Sequence, residues 1–414
     1  MKTTDIGSPS SFRPGEFTRR GFIGLAGSAV AAARLFQSQS RAAAPSPELS
    51  AAIDSLEPYF TALEKFRDVS RGKPLPHSLP IEKKTEAGLT RETWKLEVIP
   101  DPEKPASIRH PLSLKNGTAL DFPTLMKLAE KHAVRFAKVM TCLNIGCPLG
   151  TGIWEGVPLR EVIALTQPRE NLRRVFYYGY HNDDPAQMFR SSLPIDRVLE
   201  EPFGLPPVIL CYRLNGQWLS SERGGPVRVV VPEAYGFKSV KWLSHILLTN
   251  LFHANDTYAD GNNNVESWLK SFAATLSLPR TLKIGQTIPV TGYAQVGVAG
   301  VSKVQVSIQP NPPPEKSEYW IDAEILPPPK HWGHLEGGKI PAATLGFHPI
   351  TGAPQSWPMR LSKVYWAVAL PGLPAGQYTF RCRTIDNQQI AQPMPRPFKN
   401  SGHCAVETVD ITVS

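Results

Sequence analysis

Hydrophobic and polar positions alternate in short runs along most of this chain, and few runs carry the spacing of a helix. Residues 45–66 hold a short helical pattern ending near Phe66, and 67–93, polar and proline-bearing, read as an extended surface stretch. Trp94-Lys-Leu-Glu-Val98 alternates as a strand does, because successive side chains leave a strand on opposite faces. Asp121 is placed to cap a helix through about Lys131, with Pro123 in its first turn. Phe136 to Cys142 reads as a strand, followed by a short loop and a helix opened by Pro158, with Leu159, Val162 and Ile163 on one face. Val208 to Leu214, Asn215-Gly216 and Gln217-Trp-Leu219 form a hairpin pattern, and Asn-Gly favours a type I′ turn. Val227 to Val231 is apolar enough for a buried strand.

The pattern changes near residue 275. Ile288–Val296, Lys303–Ile308, Val364–Leu370, Gln377–Arg383 and Val406–Val413 are short alternating strands separated by Gly, Pro and Asn turns, which predicts an antiparallel β-sandwich. Residues 310–360, rich in Pro and Gly, read as a long insertion, ordered or partly mobile. Proline makes up 41 of 414 residues, about double ordinary usage, which argues against a helical bundle.

Thr18-Arg19-Arg20-Gly21-Phe22-Ile23 precedes an uncharged run to Ala33, and Ala42-Ala43-Ala44 offers a cleavage site. This reads as a twin-arginine export signal over 1–44, too short in its apolar part to span a bilayer. The expected location is periplasmic, with no stable membrane anchor once the signal is removed. The formal net charge is +9, of which 1–44 carries four, leaving a mild +5 spread over the rest. That argues against a nucleic-acid partner and suits attraction of a small anion.

The cysteines are 142, 147, 211, 382 and 404, an odd number with no C-x-x-C pair, so a zinc ribbon or thioredoxin-like site is not expected. Cys211 and Cys382 fall in apolar strand patterns and read as buried small hydrophobes. Cys142 ends a strand pattern before a loop, a position from which a thiolate suits a soft redox metal. Cys147 has three open roles: a second thiol beside that metal, a disulfide partner of Cys142 in a metal-free form, or an inert loop cysteine.

Thr141-Cys142 with Trp154-Glu-Gly-Val-Pro-Leu159, Ser192-Leu-Pro-Ile195, Tyr212-Arg-Leu-Asn-Gly216, Gly225-Pro-Val-Arg-Val-Val-Val-Pro232, Tyr235-Gly-Phe-Lys-Ser-Val-Lys-Trp242 and Asp256-Thr-Tyr258 stand in a telling order. With Arg383-Thr-Ile-Asp-Asn387 and Gln392-Pro393 after them, the chain resembles the sulfite oxidase family of molybdopterin enzymes over nearly all of its mature length. The resemblance implies an α+β fold: a molybdopterin-binding catalytic domain at 45–272, then an immunoglobulin-like β-sandwich dimerisation domain at 273–414. It implies a molybdenum-molybdopterin cofactor ligated by Cys142. It also implies that Arg228, Lys238, Ser239 and Lys241 hold the pterin tail, helped by the amides of Gly236 and Phe237. His181 matches a segment bordering the cofactor, and Asn144 lies in the ligand loop. Tyr258 matches the tyrosine near the metal, and Arg71 resembles the substrate-pocket arginine.

Two departures affect the substrate. The family's arginine pair after the cysteine is absent, since Ile145-Gly146-Cys147 stand there, and Arg71 is followed by Gly72-Lys73 where relatives have Asn-His, leaving His77 or Lys73 to replace that histidine. Arg223 stands where many relatives carry histidine. The implied reaction is oxidation of sulfite or a related reduced sulfur compound by oxygen-atom transfer. With no haem-attachment motif in the sequence, electrons would pass to a separate carrier such as a c-type cytochrome. Reduction of an S-oxide or N-oxide is the alternative that the missing arginine motivates, and a non-catalytic binding protein on the same scaffold is a third. A homodimer is expected from the resemblance.

Overall fold

A computed structural model describes residues 46–313, 319–393 and 400–414. The expected export signal lies outside the described residues. Among them, no helix is long and apolar enough to cross a membrane.

Three sheets organise a sheet-rich α+β architecture. A mixed five-stranded sheet runs in the order Leu120–Asp121, Lys95–Pro100, Leu243–Thr249, Arg174–Gly179, Arg190–Pro194, with the second and third strands parallel. A second sheet places Thr344–Leu345 beside Val134–Thr141, then Pro148–Pro158, Ile209–Leu214 and Gln217–Trp218, and Arg228–Val230 also pairs with Ile209–Leu214. Helices Phe122–His132 and Leu159–Leu165 pack between these sheets. Leu96, Leu125, Val157, Val162, Leu210, Val229 and Ile246 share one core there.

The predicted local chemistry is visible at the element ends. Asp121 accepts a hydrogen bond from Thr124 N at 2.9 Å and starts its helix. Asn215 and Gly216 both take positive φ, 54° and 88°, as the type I′ turn demands.

The third sheet has eight strands, in the order Phe272–Ser277, Ile288–Val296, Ser362–Leu370, Ile321–Ile325, Lys303–Pro310, Gly376–Ile385, Glu407–Val413, Thr281–Leu282. Val290, Ala294, Val364 and Trp366 from one half share a core with Val306, Phe380, Cys382 and Ile411 from the other. Ile321–Ile325 joins the halves by pairing with both Lys303–Pro310 and Ser362–Leu370.

Two expectations need correction. The segment after Cys142 is not simply a short loop leading to the Pro158 helix. It is a tight turn into an 11-residue strand, Pro148–Pro158. Residues 67–93 are not a plain surface stretch, since they contain the helix Ile81–Glu86 and reach into a cavity at 67–71. Of the two readings left open for 310–360, the described parts take the ordered one. Thr344–Leu345 extends the second sheet, and Trp332, Leu335, Phe347 and Met359 pack with Tyr59, Phe60 and Ile153.

Candidate active site

The antiparallel strands Val134–Thr141 and Pro148–Pro158 carry the first functional side chain on the turn between them. The register shifts between Met140 and Thr141, and Thr141 donates from Oγ1 to Gln295 at 2.6 Å. The strand is thus anchored at its last residue, and half-buried Cys142 emerges over a cavity of about 350 Å³. Phe66, Val69, Met140, Leu149, Trp154, Phe189 and Phe237 give the cavity apolar walls. Glycines allow the close packing behind the Phe66 wall: a Cβ on Gly150 would stand 2.4 Å from the Phe66 ring, and one on Gly152 2.6 Å from Leu214.

Of the residues singled out from sequence, Cys142, Asn144, His181, Arg71, Arg228, Ser239, Lys241 and Tyr258 all line this cavity. Lys238 does not. Its ammonium is buried the other way, on Asp256 at 2.7 Å and the Ser192 carbonyl at 2.7 Å. Asp256 also accepts from Ser191 and Ser192. A buried ammonium needs a carboxylate, and Asp256 in the Asp-Thr-Tyr motif provides it, so Lys238 braces the site instead of facing it. Neither His77 nor Lys73 lines the cavity. His77 stacks on Trp242 with ring centres 6.2 Å apart and sits 3.7 Å from Asp68.

Five cations, Arg67, Arg71, Arg223, Arg228 and Lys241, line the cavity without a lining Asp or Glu. Arg228 is buried, with Nη1 donating to Arg223 O at 2.8 Å and Nη2 to Ser239 O. Its guanidinium stands 5.3 Å from the Trp154 ring centre, and burial pushes its pKa down to about 10. Arg223, also buried, donates to Phe66 O at 2.8 Å and pairs with Glu222. The Nε–H groups of both arginines lack a partner among the described residues.

Lys241 spends its three donors on Asp68 at 3.0 Å, Ser70 at 2.6 Å and the Glu222 carbonyl at 2.7 Å. Burial lowers its pKa to about 8. Burial works to raise the Asp68 carboxyl, but hydrogen bonds from Ser70 and attraction to Lys241 outweigh it and hold Asp68 near 2.

Near the mouth, the exposed Arg71 stands 5.3 Å from the Phe189 ring centre and 5.9 Å from that of Tyr258. It makes no ion pair or hydrogen bond among the described residues. The Tyr258 hydroxyl is raised above its ordinary pKa by burial and then by the Cys142 thiolate, with Arg71 opposing. His181 accepts from Phe189 N at 3.3 Å, and burial depresses it to about 4, so it is neutral. Asn144 is exposed at the rim. All five cysteines are free, and Cys147 faces a neighbouring pocket, where Arg67 donates to its sulfur at 3.3 Å.

Sequence reading missed Arg67, Phe66 and Phe189 on this wall. Arg67 precedes Arg71 by four residues in a segment without periodicity, and only the fold brings it to the cavity.

A molybdopterin group fits this donor set. No cluster of three or more His, Cys, Asp or Glu able to hold a metal occurs among the described residues. One thiolate therefore suits a metal that arrives with its other ligands. Unpaired guanidinium N–H groups in a cavity free of lining carboxylates suit a phosphate.

Residues 83–255 match the family described as oxidoreductase molybdopterin binding domain. Over 207 residues the chain is 26% identical to a nitrate reductase [NADPH] of Beauveria bassiana, covering 48% of this chain and 22% of the relative. Over 100 residues it is 35% identical to the mitochondrial sulfite oxidase of Macaca fascicularis, covering 24% of this chain and 18% of the relative. The chain thus spans about a fifth of the length of these curated relatives. Its fold is similar to the crystal structure of the sulfane dehydrogenase SoxCD from Paracoccus pantotrophus, with a TM-score of 0.54, 16% identity and 79% of each chain covered.

Proposed function

We propose that this chain is a molybdopterin oxidoreductase of the sulfite oxidase type, that it oxidises sulfite or a related reduced sulfur anion, and that it passes the electrons to a separate carrier, a c-type cytochrome. The observation that carries the reading is a half-buried cysteine over a cavity ringed by five cations and no lining carboxylate. A sulfur oxyanion leaving water needs such partners.

The bound molybdenum-molybdopterin supplies two-electron oxygen-atom transfer. Cys142 would hold the metal through its thiolate. The unpaired N–H groups of Arg223 and Arg228 would hold the pterin phosphate, and Lys241, its donors already taken, adds charge. Arg71 is free to turn toward the anion, with its guanidinium resting on Phe189 and Tyr258. Because the Tyr258 hydroxyl titrates above its ordinary value, it stays protonated near neutrality and donates a hydrogen bond. Phe66, Trp154 and Phe237 keep water from the interior wall.

The same reading assigns export to the twin-arginine segment, with a periplasmic location, and dimerisation to an immunoglobulin-like domain over 273–414. The test is turnover of the purified, molybdenum-loaded enzyme with sulfite and cytochrome c. Sulfite-dependent cytochrome reduction is expected, and its absence rejects sulfite as substrate.

A second reading reverses the direction, to reduction of an S-oxide or N-oxide. Ile145 stands where the family's arginine pair is missing, and the cavity walls are largely apolar, so a neutral oxide has room. The relatives named nitrate reductases add to this. Reduced-viologen oxidation by a panel of oxides, without sulfite turnover, favours it.

A further inference from the structure

A second pocket of about 260 Å³ shares Arg67 and Leu149 with the cofactor cavity and is otherwise separate. Three cations line it: Lys65, Arg67 and Lys363. Its one carboxylate, Glu57, stands 4.0 Å from Lys65, and both of these are exposed. Lys363 is different in kind. It is only 9% exposed, so its charge has left bulk water. One N–H donates to the Tyr365 hydroxyl at 2.7 Å, and the ammonium stands 4.6 Å from that ring's centre. An ammonium has three donors, so two are left for another acceptor. Burial depresses its pKa to about 8, which still leaves it charged at neutrality.

A second observation points the same way. Thr151 is 1% exposed and lines the pocket, and its Oγ1 has no hydrogen-bond partner among the described residues. Buried hydroxyls are almost always satisfied, so an orphan on a pocket wall marks a missing acceptor or donor. Arg67 completes the ring. One of its N–H groups donates to Cys147 Sγ, and the rest of the guanidinium has no partner among the described residues.

We propose that this pocket is a second binding site, for a small inorganic oxyanion such as sulfate, held by Lys363, Arg67 and the Thr151 hydroxyl. An oxyanion has acceptors on every side, which suits several spare donors among the residues that line one pocket. The pocket volume leaves space for the ion with a few waters, each of about 30 Å³. Arg67 lines both this site and the cofactor cavity, so an ion here shares a guanidinium with the place where the reaction is proposed.

Cys147, half-buried in the pocket wall, reports occupancy. The mature, cofactor-loaded enzyme is treated with iodoacetamide while sulfate replaces chloride at constant ionic strength. Alkylation of the Cys147 peptide is followed by mass spectrometry. Sulfate is expected to slow the labelling in a saturable way. Lys363→Met should raise the half-protecting concentration by roughly tenfold or more, as loss of a charge-assisted hydrogen bond does. Thr151→Val, close in shape and lacking only the unpaired hydroxyl, should raise it less while the unfolding temperature holds. Should Lys363→Met fail to fold, Thr151→Val decides alone. Calorimetric titration with sulfate gives a second readout of the same affinity. Equal Cys147 labelling in sulfate and chloride with no binding heat overturns the proposal. So does sulfate protection that no folded variant weakens.

Discussion

Arg228 and Arg223 each hold an unpaired Nε–H in the interior, at the wall of a cavity that no carboxylate lines. Orphaned donors of that kind are costly unless a ligand accepts from them. Arg228→Met should therefore cut cofactor retention by roughly tenfold or more, the usual scale of a lost charge-assisted hydrogen bond. Molybdenum content per chain after gel filtration measures it, and full content in the variant removes Arg228 from the phosphate site. Lys241 adds a pH dependence. Its pKa falls from the ordinary 10.5 to about 8 on folding. Between those values the unfolded chain binds more protons than the folded one, so stability rises with pH across that window. The positive charge offered to a bound anion fades over the same range. Cofactor retention should thus weaken as pH rises through 8, and Lys241→Met should flatten that profile. A profile with the same slope in both proteins contradicts the assignment. Asp68 acts at the acid end: its contribution is full above the ordinary 3.8 and is lost as pH falls through about 2. The residue types of this site were largely legible in the sequence, because thiolate, arginine and phenol announce their chemistry. Orientation was not. Lys238 and Lys241 are three residues apart in one motif, yet Asp256 takes Lys238 away from the cavity while Asp68 keeps Lys241 beside it.

Pro148–Pro158 is the element that periodicity hid. Gly150-Thr-Gly152-Ile-Trp-Glu-Gly156 reads as a turn-rich stretch, because glycine weakens a strand and side-chain alternation is lost. Its glycines answer to neighbours far along the chain. Gly150 and Gly152 lie against Phe66 and Leu214. Elements whose signal is local were readable: the capped helix at Phe122–His132, the Asn215-Gly216 hairpin, and the alternating strands of the eight-stranded sheet. Order in the 310–360 stretch stayed open in the sequence for the same reason as the glycine strand. Thr344–Leu345 becomes a strand only because Val134–Thr141 lies alongside it. Two stability predictions belong at this scale. Gly150→Ala should destabilise by about 1–3 kcal/mol, since the added methyl overlaps the Phe66 ring. Phe66→Leu in the same chain should recover part of that loss. Asp121→Ala should cost about 1 kcal/mol through the lost cap on Thr124 N. Denaturant unfolding midpoints check both, and an unchanged midpoint for Gly150→Ala would mean that the strand yields where the packing says it cannot.

The full chain carries a formal charge of +9, of which the residues after 44 keep a mild +5, and the cavity concentrates that sign. Exposed charges act over about 8–10 Å at ordinary salt. If an anion is the substrate, its kcat/KM should fall steadily as salt rises, whereas a neutral oxide should show little dependence. A steady-state salt series with sulfite and with a neutral S-oxide therefore separates an anionic from a neutral substrate. Cofactor class was legible at this scale because motif order survives in the sequence. Substrate was not, since it depends on where Arg67 and Arg71 point, and residues outside 83–255 supply both. The account rests on sulfur ligation by Cys142. X-ray absorption at the molybdenum edge, on loaded wild type and loaded Cys142→Ser, tests it most directly. The wild type is predicted to show one more sulfur neighbour than the variant, with the pterin sulfurs retained in both. An identical sulfur count in the two proteins contradicts the account.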